Sequence, residues 1–283
     1  MSARRRRRWV VVVAATTVVL AAVATAIGLL LRNDELTAPS NRCLVTSRRG
    51  RYTVDASQAR LATTIAAVGK RRGLPNHAVT VALATALQES GMRNLGDGHL
   101  DSVGLFQQRP SQGWGTVEQI LDPRYASTRF YAALEEVSGW ERMPVTVAAQ
   151  RVQRSAVPEG YAEHEDQARI MASALTGEVP AGLTCDVGLP TPATPTAEGQ
   201  LRAEMDAELG PGAVGVPPTA QRGWTVASWL VARAYGSSIT SVRYADRTWF
   251  RDRHAWEITP PVAAVTFTLD ADCPVEECAR GDD

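Results

Sequence analysis

Residues 76 to 91 read NHAVTVALATALQESG, and residues 102 to 110 read SVGLFQQRP. In the first stretch Val79, Leu83 and Leu87 recur at helical spacing, which predicts one helix from Asn76 to Gly91. Ala82 and Ala86 make a stripe of small residues beside the apolar one, and Glu89 lies on that stripe. A carboxyl group is thereby set at a helix C-terminus, where the helix dipole disfavours its ionised form. A solvated surface glutamate would sit there at a mild cost, whereas a working acid would use the position. The segment Asn94 to Gly115 is rich in Gly and Asp and too polar for a core helix, so it reads as a loop.

Working outward, the pattern stays helical from Asp55 to Gly177. Leu61, Ile65 and Val68 repeat behind a capping Asp55, and that helix should stop near Gly73-Leu74-Pro75. Asp122-Pro123 is a cap followed by proline at the first helical position, continued by Phe130, Leu134 and Val137. Val145, Ala149 and Val152 mark a further helix, and Tyr161, Ala168, Met171 and Leu175 a last one. Leu189 to Ala197 carries Pro190, Pro192 and Pro195 among threonines and reads as a stiff linker. Beyond it, Arg222 to Ala234 looks helical, while Ile239 to Tyr244 and Ala263 to Leu269 look like strands. The expected organisation is a mainly α domain over 55–185, a linker over 186–197 and a smaller α+β domain over 198–283.

The chain has 283 residues, 45% hydrophobic and 21% charged. That is enough for real cores and too apolar for wholesale disorder. Thirty basic residues balance thirty acidic ones, but Arg4 to Arg8 and Arg32 sit at the N-terminal end, so the body from Asn33 onward is net acidic. It lacks the positive excess that nucleic-acid binding needs. Between those arginines, Trp9 to Leu31 carries no charge. As a helix it would be about 34 Å long, enough to span a membrane. The reading is a cytoplasmic segment over 1–8, a transmembrane anchor over 9–31, a polar stem over 32–54 and an extracytoplasmic body, by the positive-inside rule. A cleaved signal ending near Ala26 is the alternative, since Ala24-Thr25-Ala26 fits a small-residue cleavage site. Four cysteines agree with export, and the simplest pairing is Cys43–Cys185 with Cys273–Cys278. No Cys-x-x-Cys spacing exists, and His77, His99, His164 and His254 are scattered, so the cysteines are read as disulfides and not as zinc ligands.

The run from Leu83 to Pro110, with Glu-Ser-Gly followed by Ser-x-Gly-Leu-Phe-Gln-Gln, resembles the core of soluble lytic transglycosylases and goose-type lysozymes. The resemblance covers about residues 55 to 177. It implies a lysozyme-like fold in which Glu89 ends the central helix and a Gly-Leu-Phe-Gln strand lines the floor of a cleft. It further implies that Tyr161 bonds to the Glu89 carboxylate, that peptidoglycan glycan strands are the substrate, and that no cofactor is needed. Ser102, Gln107, Gln108, Gln150, Gln153 and Tyr161 become candidate substrate contacts, with Trp114 in Gly-Trp-Gly a stacking platform for a sugar or a loop anchor. A carboxyl against apolar walls keeps its proton more readily, as the acid of glycosidic cleavage requires.

This sequence departs from the family at Gln150 and Gln153, which stand where the family carries an Ala-Tyr-Asn-Ala-Gly segment. Three apart, they share a helix face and would point into the cleft or simply face water. Asp97 and Asp101 are possible second carboxylates; an inverting hydrolase needs one, a lytic transglycosylase none. The C-terminal stretch through Gly223-Trp224, Trp229, Tyr244, Trp249 and Trp256 resembles zinc peptidase domains related to D-alanyl-D-alanine carboxypeptidases. Where those carry metal ligands, this chain has Gly212 to Val216 and Ala263 to Phe267. Three protein ligands are needed for catalytic zinc, so the expectation is a peptidase-like scaffold without metal. A non-catalytic wall-binding module and a structural partner of other cell-envelope proteins are the competing functions.

Overall fold

The β-strands β1 (Arg42–Ser47) and β2 (Gly50–Asp55) pair antiparallel, Cys43 opposite Val54 and Val45 opposite Tyr52. Residues 42–54 are therefore part of a sheet and not the expected polar stem. Cys43 and Val45 point inward at alternate positions while charged neighbours crowd the turn, which hides a strand inside a polar composition. The computed structural model describes residues 40–270 except 156, 158 and 190–193. The expected basic segment, anchor and cleavage site, and Cys273 and Cys278, lie outside the described residues.

Strand β3 (Leu183–Asp186) pairs with the other edge of β1, with Cys185 opposite Cys43, and those two cysteines form a disulfide. It joins residues 142 apart in sequence, and both cysteines are fully buried. Helix α1 (Ala56–Arg71) begins where the Gln58 side-chain amide oxygen, Oε1, accepts the Asp55 backbone N–H at 2.9 Å. Lys70 and Arg71 in its last turn suit the helix dipole.

Helix α2 (Asn76–Ser90) is buried along its length from Ala78 to Ala86, explaining why its apolar and small residues run almost unbroken. It ends at Gly91, whose φ of +62° lets the Gly91 N–H reach Leu87 O and the Met92 N–H reach Ala86 O. A short helix α3 (Val117–Ile120) leads into α4 (Pro123–Glu135), where the Asp122 carboxylate accepts the Arg124 and Tyr125 backbone N–H groups. Helices α5 (Val145–Gln153) and α6 (Glu165–Leu175) follow, separated by a 3-10 turn over Gly160–His164.

Residues 195–197, expected in the linker, form the first turn of α7 (Pro195–Leu209). Thr194 caps it by accepting the Ala197 N–H, with Pro195 at the first position where its missing donor costs nothing. Helix α8 (Ala220–Arg233) packs against α1, and the strands β4 (Ile239–Phe250) and β5 (Ala255–Leu269) make a long antiparallel hairpin. Both strands exceed the expected lengths. The pairing slips between Arg243 and Arg247, opposite the stretch holding Pro260 and Pro261, because proline has no N–H to give a ladder. With eight helices and two small sheets among the described residues, the fold is a mixed α and β architecture dominated by helix.

Residues on both sides of 186–197 share one contiguous hydrophobic cluster, from Ile65, Leu83 and Phe130 to Trp229, Leu230 and Trp249. A buried ionic cluster accompanies that packing. The Arg233 guanidinium, 1% exposed, donates to both Glu208 oxygens at 2.9 and 3.0 Å, to Glu204 at 3.0 Å and to Thr63 at 2.8 Å. Trp229 donates its indole N–H to Glu208 at 2.7 Å, and its ring lies 4.1 Å from the guanidinium carbon. Burial pulls the Arg233 pKa down while Glu208 and Glu204 oppose that pull. Helices α1, α7 and α8 are held in register by this cluster.

Candidate active site

Glu89 sits in the last turn of α2, half-buried, and Ser90 beside it is buried. The Ser90 hydroxyl stands 2.8 Å from Leu105 O and 3.0 Å from Ala86 O, and its oxygen accepts the Arg93 N–H at 3.1 Å. Ser90 thereby ties the end of α2 to the Gly-Leu-Phe-Gln segment.

That segment is a tight turn and not the expected strand. Val103 donates to Gln108 O at 3.0 Å, and Gln107 donates back to Gly104 O at 3.3 Å. Gly104 has φ +78° and Gln107 φ +48°, left-handed values that reverse the chain within a few residues. At Gly104 the space is also closed, since a Cβ there would lie 2.8 Å from Ile120 O. Leu105 and Phe106 are fully buried, and Phe106 stacks on Phe130 with centroids 4.7 Å apart. The turn is an apolar wall anchored from below.

Tyr161, on the 3-10 turn, is fully buried and donates its hydroxyl to Glu89 Oε1 at 2.6 Å across 72 residues of sequence. Burial, and then the neighbouring Glu89 carboxylate, pushes the Tyr161 pKa well above that of a free phenol, so Tyr161 remains a neutral donor. Next to it, His164 Nε2 and Gln88 Oε1 are 3.1 Å apart, and Gly160 lies so close to Gln88 that a Cβ would come within 2.8 Å of its amide nitrogen. The 3-10 turn is thus seated on the last turn of α2 at two consecutive residues.

The remaining candidates divide by what their side chains touch. Gln153 donates to Phe106 O at 2.8 Å, and Gln150 donates to Ser155 O at 2.8 Å, so both amide nitrogens hold backbone and do not project freely. Gln108, 2% exposed, donates to Ala126 O at 3.3 Å, which ties it to α4 in the interior. Gln107 is part-exposed and donates to Gly104 O at 3.2 Å. Ser102 is nearly buried, its hydroxyl given to His99 O at 2.7 Å. Asp101 accepts from Arg109 Nε at 2.6 Å and from the Ser111 N–H at 2.8 Å, contacts that hold its carboxyl far below the usual carboxylate range. Asp101 is a loop brace, ionised throughout the neutral range. Asp97 is exposed on the same loop. Trp114 packs partly against the core, and its carbonyl accepts the Tyr125 hydroxyl at 3.2 Å, while a Cβ at Gly115 would clash with that hydroxyl. Trp114 is therefore anchored to α4 through its backbone and keeps part of its ring open.

Ser90, Ser155 and the Gln88–His164 pair were not singled out from the sequence. Ser90 stands inside the quoted Glu-Ser-Gly, and serine in a helix's last turn is a signal for bonding back to the i−4 carbonyl. Ser155 has no such local mark.

In the C-terminal half, Gly215 and Val265 face each other through paired backbone bonds of 3.2 and 2.7 Å. These positions belong to the two stretches where the peptidase resemblance would place ligands, and they offer only a hydrogen atom and an isopropyl group. Among the described residues no group of three or more His, Cys, Asp or Glu is arranged to hold a metal ion. A cavity of about 360 Å³ lined by Arg60, Thr64, Arg124, Glu204 and Glu208 lies apart from Glu89 and Tyr161.

Chemically, a half-buried carboxyl with one oxygen fixed by a neutral phenol can carry its proton on the other oxygen and deliver it to a bound acceptor. No protein-family model matches the chain, and no curated protein matches it.

Proposed function

We propose that this protein cleaves the β-1,4 bond between N-acetylmuramic acid and N-acetylglucosamine in peptidoglycan, with Glu89 as the general acid of a lysozyme-like half. The observation that carries this reading is the 2.6 Å bond from Tyr161 to Glu89 beside the Leu105-Phe106 wall. Glu89 gives its proton to the glycosidic oxygen, and the Tyr161 hydroxyl stabilises the carboxylate that results. The same carboxylate then takes a proton from the incoming nucleophile: the sugar's own 6-hydroxyl in a lytic transglycosylase, water in a muramidase. Asp101, with both oxygens engaged by Arg109 and Ser111, is poorly placed to activate water, which favours the one-carboxylate route.

The uncharged run Trp9 to Leu31 would hold this body outside the cell, next to its substrate. Residues 198–270 would serve as a buttress or wall-contacting surface and not as a zinc peptidase, given Gly215 and Val265. A second reading, a wall-binding module without turnover, draws on the glutamines: Gln108, Gln150 and Gln153 spend their amide nitrogens on backbone, leaving fewer groups for sugar. Mass spectrometry of muropeptides released from peptidoglycan by the full-length chain in mild detergent separates the two. New anhydro- or reducing-end muropeptides, lost in E89Q, are expected; binding without release would replace the catalytic reading by the second one.

A further inference from the structure

The 3-10 turn over Gly160–His164 carries Tyr161, yet a turn of this kind is weak by itself because its i to i+3 hydrogen bonds are poorly aligned. Both of its ends rest on one side chain of α2. At the front, Gly160 leaves the room that the Gln88 amide fills: a Cβ there would lie 2.8 Å from the Gln88 amide nitrogen and 2.9 Å from its amide carbon. At the back, His164 Nε2 stands 3.1 Å from Gln88 Oε1. An amide oxygen only accepts, so Nε2 carries a proton and donates it there. His164 is also the residue from which α6 starts, and α6 packs along α2. The Arg169 guanidinium bonds Glu165 at 2.6 and 2.9 Å across the first turn of α6. Between the two ends, Tyr161 is buried and reaches Glu89, the residue after Gln88, at 2.6 Å. Consecutive residues of α2 therefore hold the turn and the phenol that the turn carries.

We propose that Gln88 and His164 form a latch that positions the Tyr161 hydroxyl on Glu89, so that both act as positioning residues without touching substrate. The proposal rests on the reading of Glu89 as the proton-handling group. A phenol stabilises the carboxylate left by proton transfer only while its O–H points at the oxygen, since a hydrogen bond weakens steeply with misalignment. Burial of the Tyr161 ring does not supply that direction, because apolar packing is non-directional. The latch does. It grips the chain one residue before Tyr161 and three residues after it, and it ties both points to the residue next to Glu89. The phenol and the carboxyl are thereby referred to the same turn of α2. Holding reacting groups in place is worth a large share of a rate, and a small misplacement is felt there before it is felt in stability.

The test follows the phenol and the rate together. The full-length chain in mild detergent is labelled at the tyrosine ring carbon that bears the hydroxyl, and its six tyrosines give six signals in carbon NMR. The Tyr161 signal is assigned by its loss in Y161F, and its position with the bond broken is read from E89A. In H164A the signal should move toward the E89A position. In H164Q, whose amide nitrogen takes the place of Nε2, it should stay near wild type. G160A removes no hydrogen-bonding group but pushes the Gln88 amide aside, so it should move the signal as H164A does. Muropeptide release by H164A should fall about threefold in kcat with KM unchanged, and H164A added to Y161F should bring no further loss. A Tyr161 signal unmoved in folded H164A, or in folded G160A where H164A does not fold, overturns the proposal. So does an undiminished further loss of release when H164A is added to Y161F. The tyrosine signal needs no turnover: absence of release by the wild type would remove the wall-cleavage reading alone, whereas intact release with an unmoved signal would remove the latch alone.

Discussion

The molecule contains two buried polar clusters, and they are built on opposite terms. Around Arg233, every charge is met: Glu208 and Glu204 face the guanidinium, Thr63 and Thr64 fill its remaining directions, and Trp229 covers its face. Around Glu89, one phenol holds one carboxylate oxygen, and the carboxyl is half-open to solvent. A saturated cluster is chemically silent, because a buried charge with all its partners has nothing left to offer a ligand. A carboxyl with one partner is under-committed and can exchange a proton. The contrast separates a structural ionic cluster from a candidate site better than burial or charge alone would.

That comparison can be broken in order of effect. If the Arg233 cluster is purely structural, Arg233→Ala should destabilise the protein by about 3–5 kcal/mol, since it strands Glu208 in the interior. Chemical denaturation gives the value, and muropeptide release by the protein still folded should be unchanged per molecule. A large loss of specific activity without loss of stability would give the cluster a part in turnover. Glu89→Gln should do the reverse: about a 10²-fold or greater fall in muropeptide release, with the denaturation midpoint nearly unmoved. Retained activity in that variant would leave Glu89 an ordinary surface glutamate.

Tyr161→Phe sharpens the contrast further. It removes the donor that would stabilise the carboxylate left when Glu89 gives up its proton, so muropeptide release should fall about tenfold. Release rates of the purified variant check the size, and an unchanged rate would mean that Tyr161 only packs against the helix.

The smallest effect belongs to Asp101→Asn. The Ser111 backbone N–H, and then Arg109, hold the Asp101 pKa below its unfolded value, so its ionised contacts favour the folded state fully above the ordinary carboxylate range. That advantage is lost as pH falls through the lower folded value. Thermal unfolding should therefore show wild type slightly ahead of the variant at neutral pH, with the two converging in strong acid. A constant gap at all pH values would point to packing and not to charge.

Much of the frame was legible in the sequence because the signals are local. Asp55 before α1, Gly91 after α2 and Asp122-Pro123 before α4 mark helix ends by geometry that involves only a few adjacent residues. An even cysteine count, read with the uncharged run Trp9 to Leu31, was enough to suggest Cys43–Cys185. The position of Glu89 at the end of α2 followed from periodicity, although its partner Tyr161 came only through a resemblance.

Other features had no local signature. The hairpin of β1 and β2 looked like a stem because only alternate residues are apolar, and its second edge is closed by β3, more than a hundred residues later. The Gly-Leu-Phe-Gln segment looked extended, but the walls met at Gly104 and the φ forced at Gln107 make it a turn. Gln150 and Gln153 share a helix face as their spacing required, yet the hold of Gln153 on Phe106 O depends on how α5 lies against the 102–108 turn, and that of Gln150 on Ser155 O on the chain reversal at Arg154. Arg233 reads as an ordinary basic residue at a helix end, and only the arrival of Glu204, Glu208, Thr63 and Trp229 makes it buried. The sequence alone determined where helices start and stop and where a carboxyl is displayed, because capping and periodicity act between neighbours. Only the tertiary structure decided which polar groups are spent and which remain available, because a side chain's partner is chosen by the packing of elements far apart in the chain.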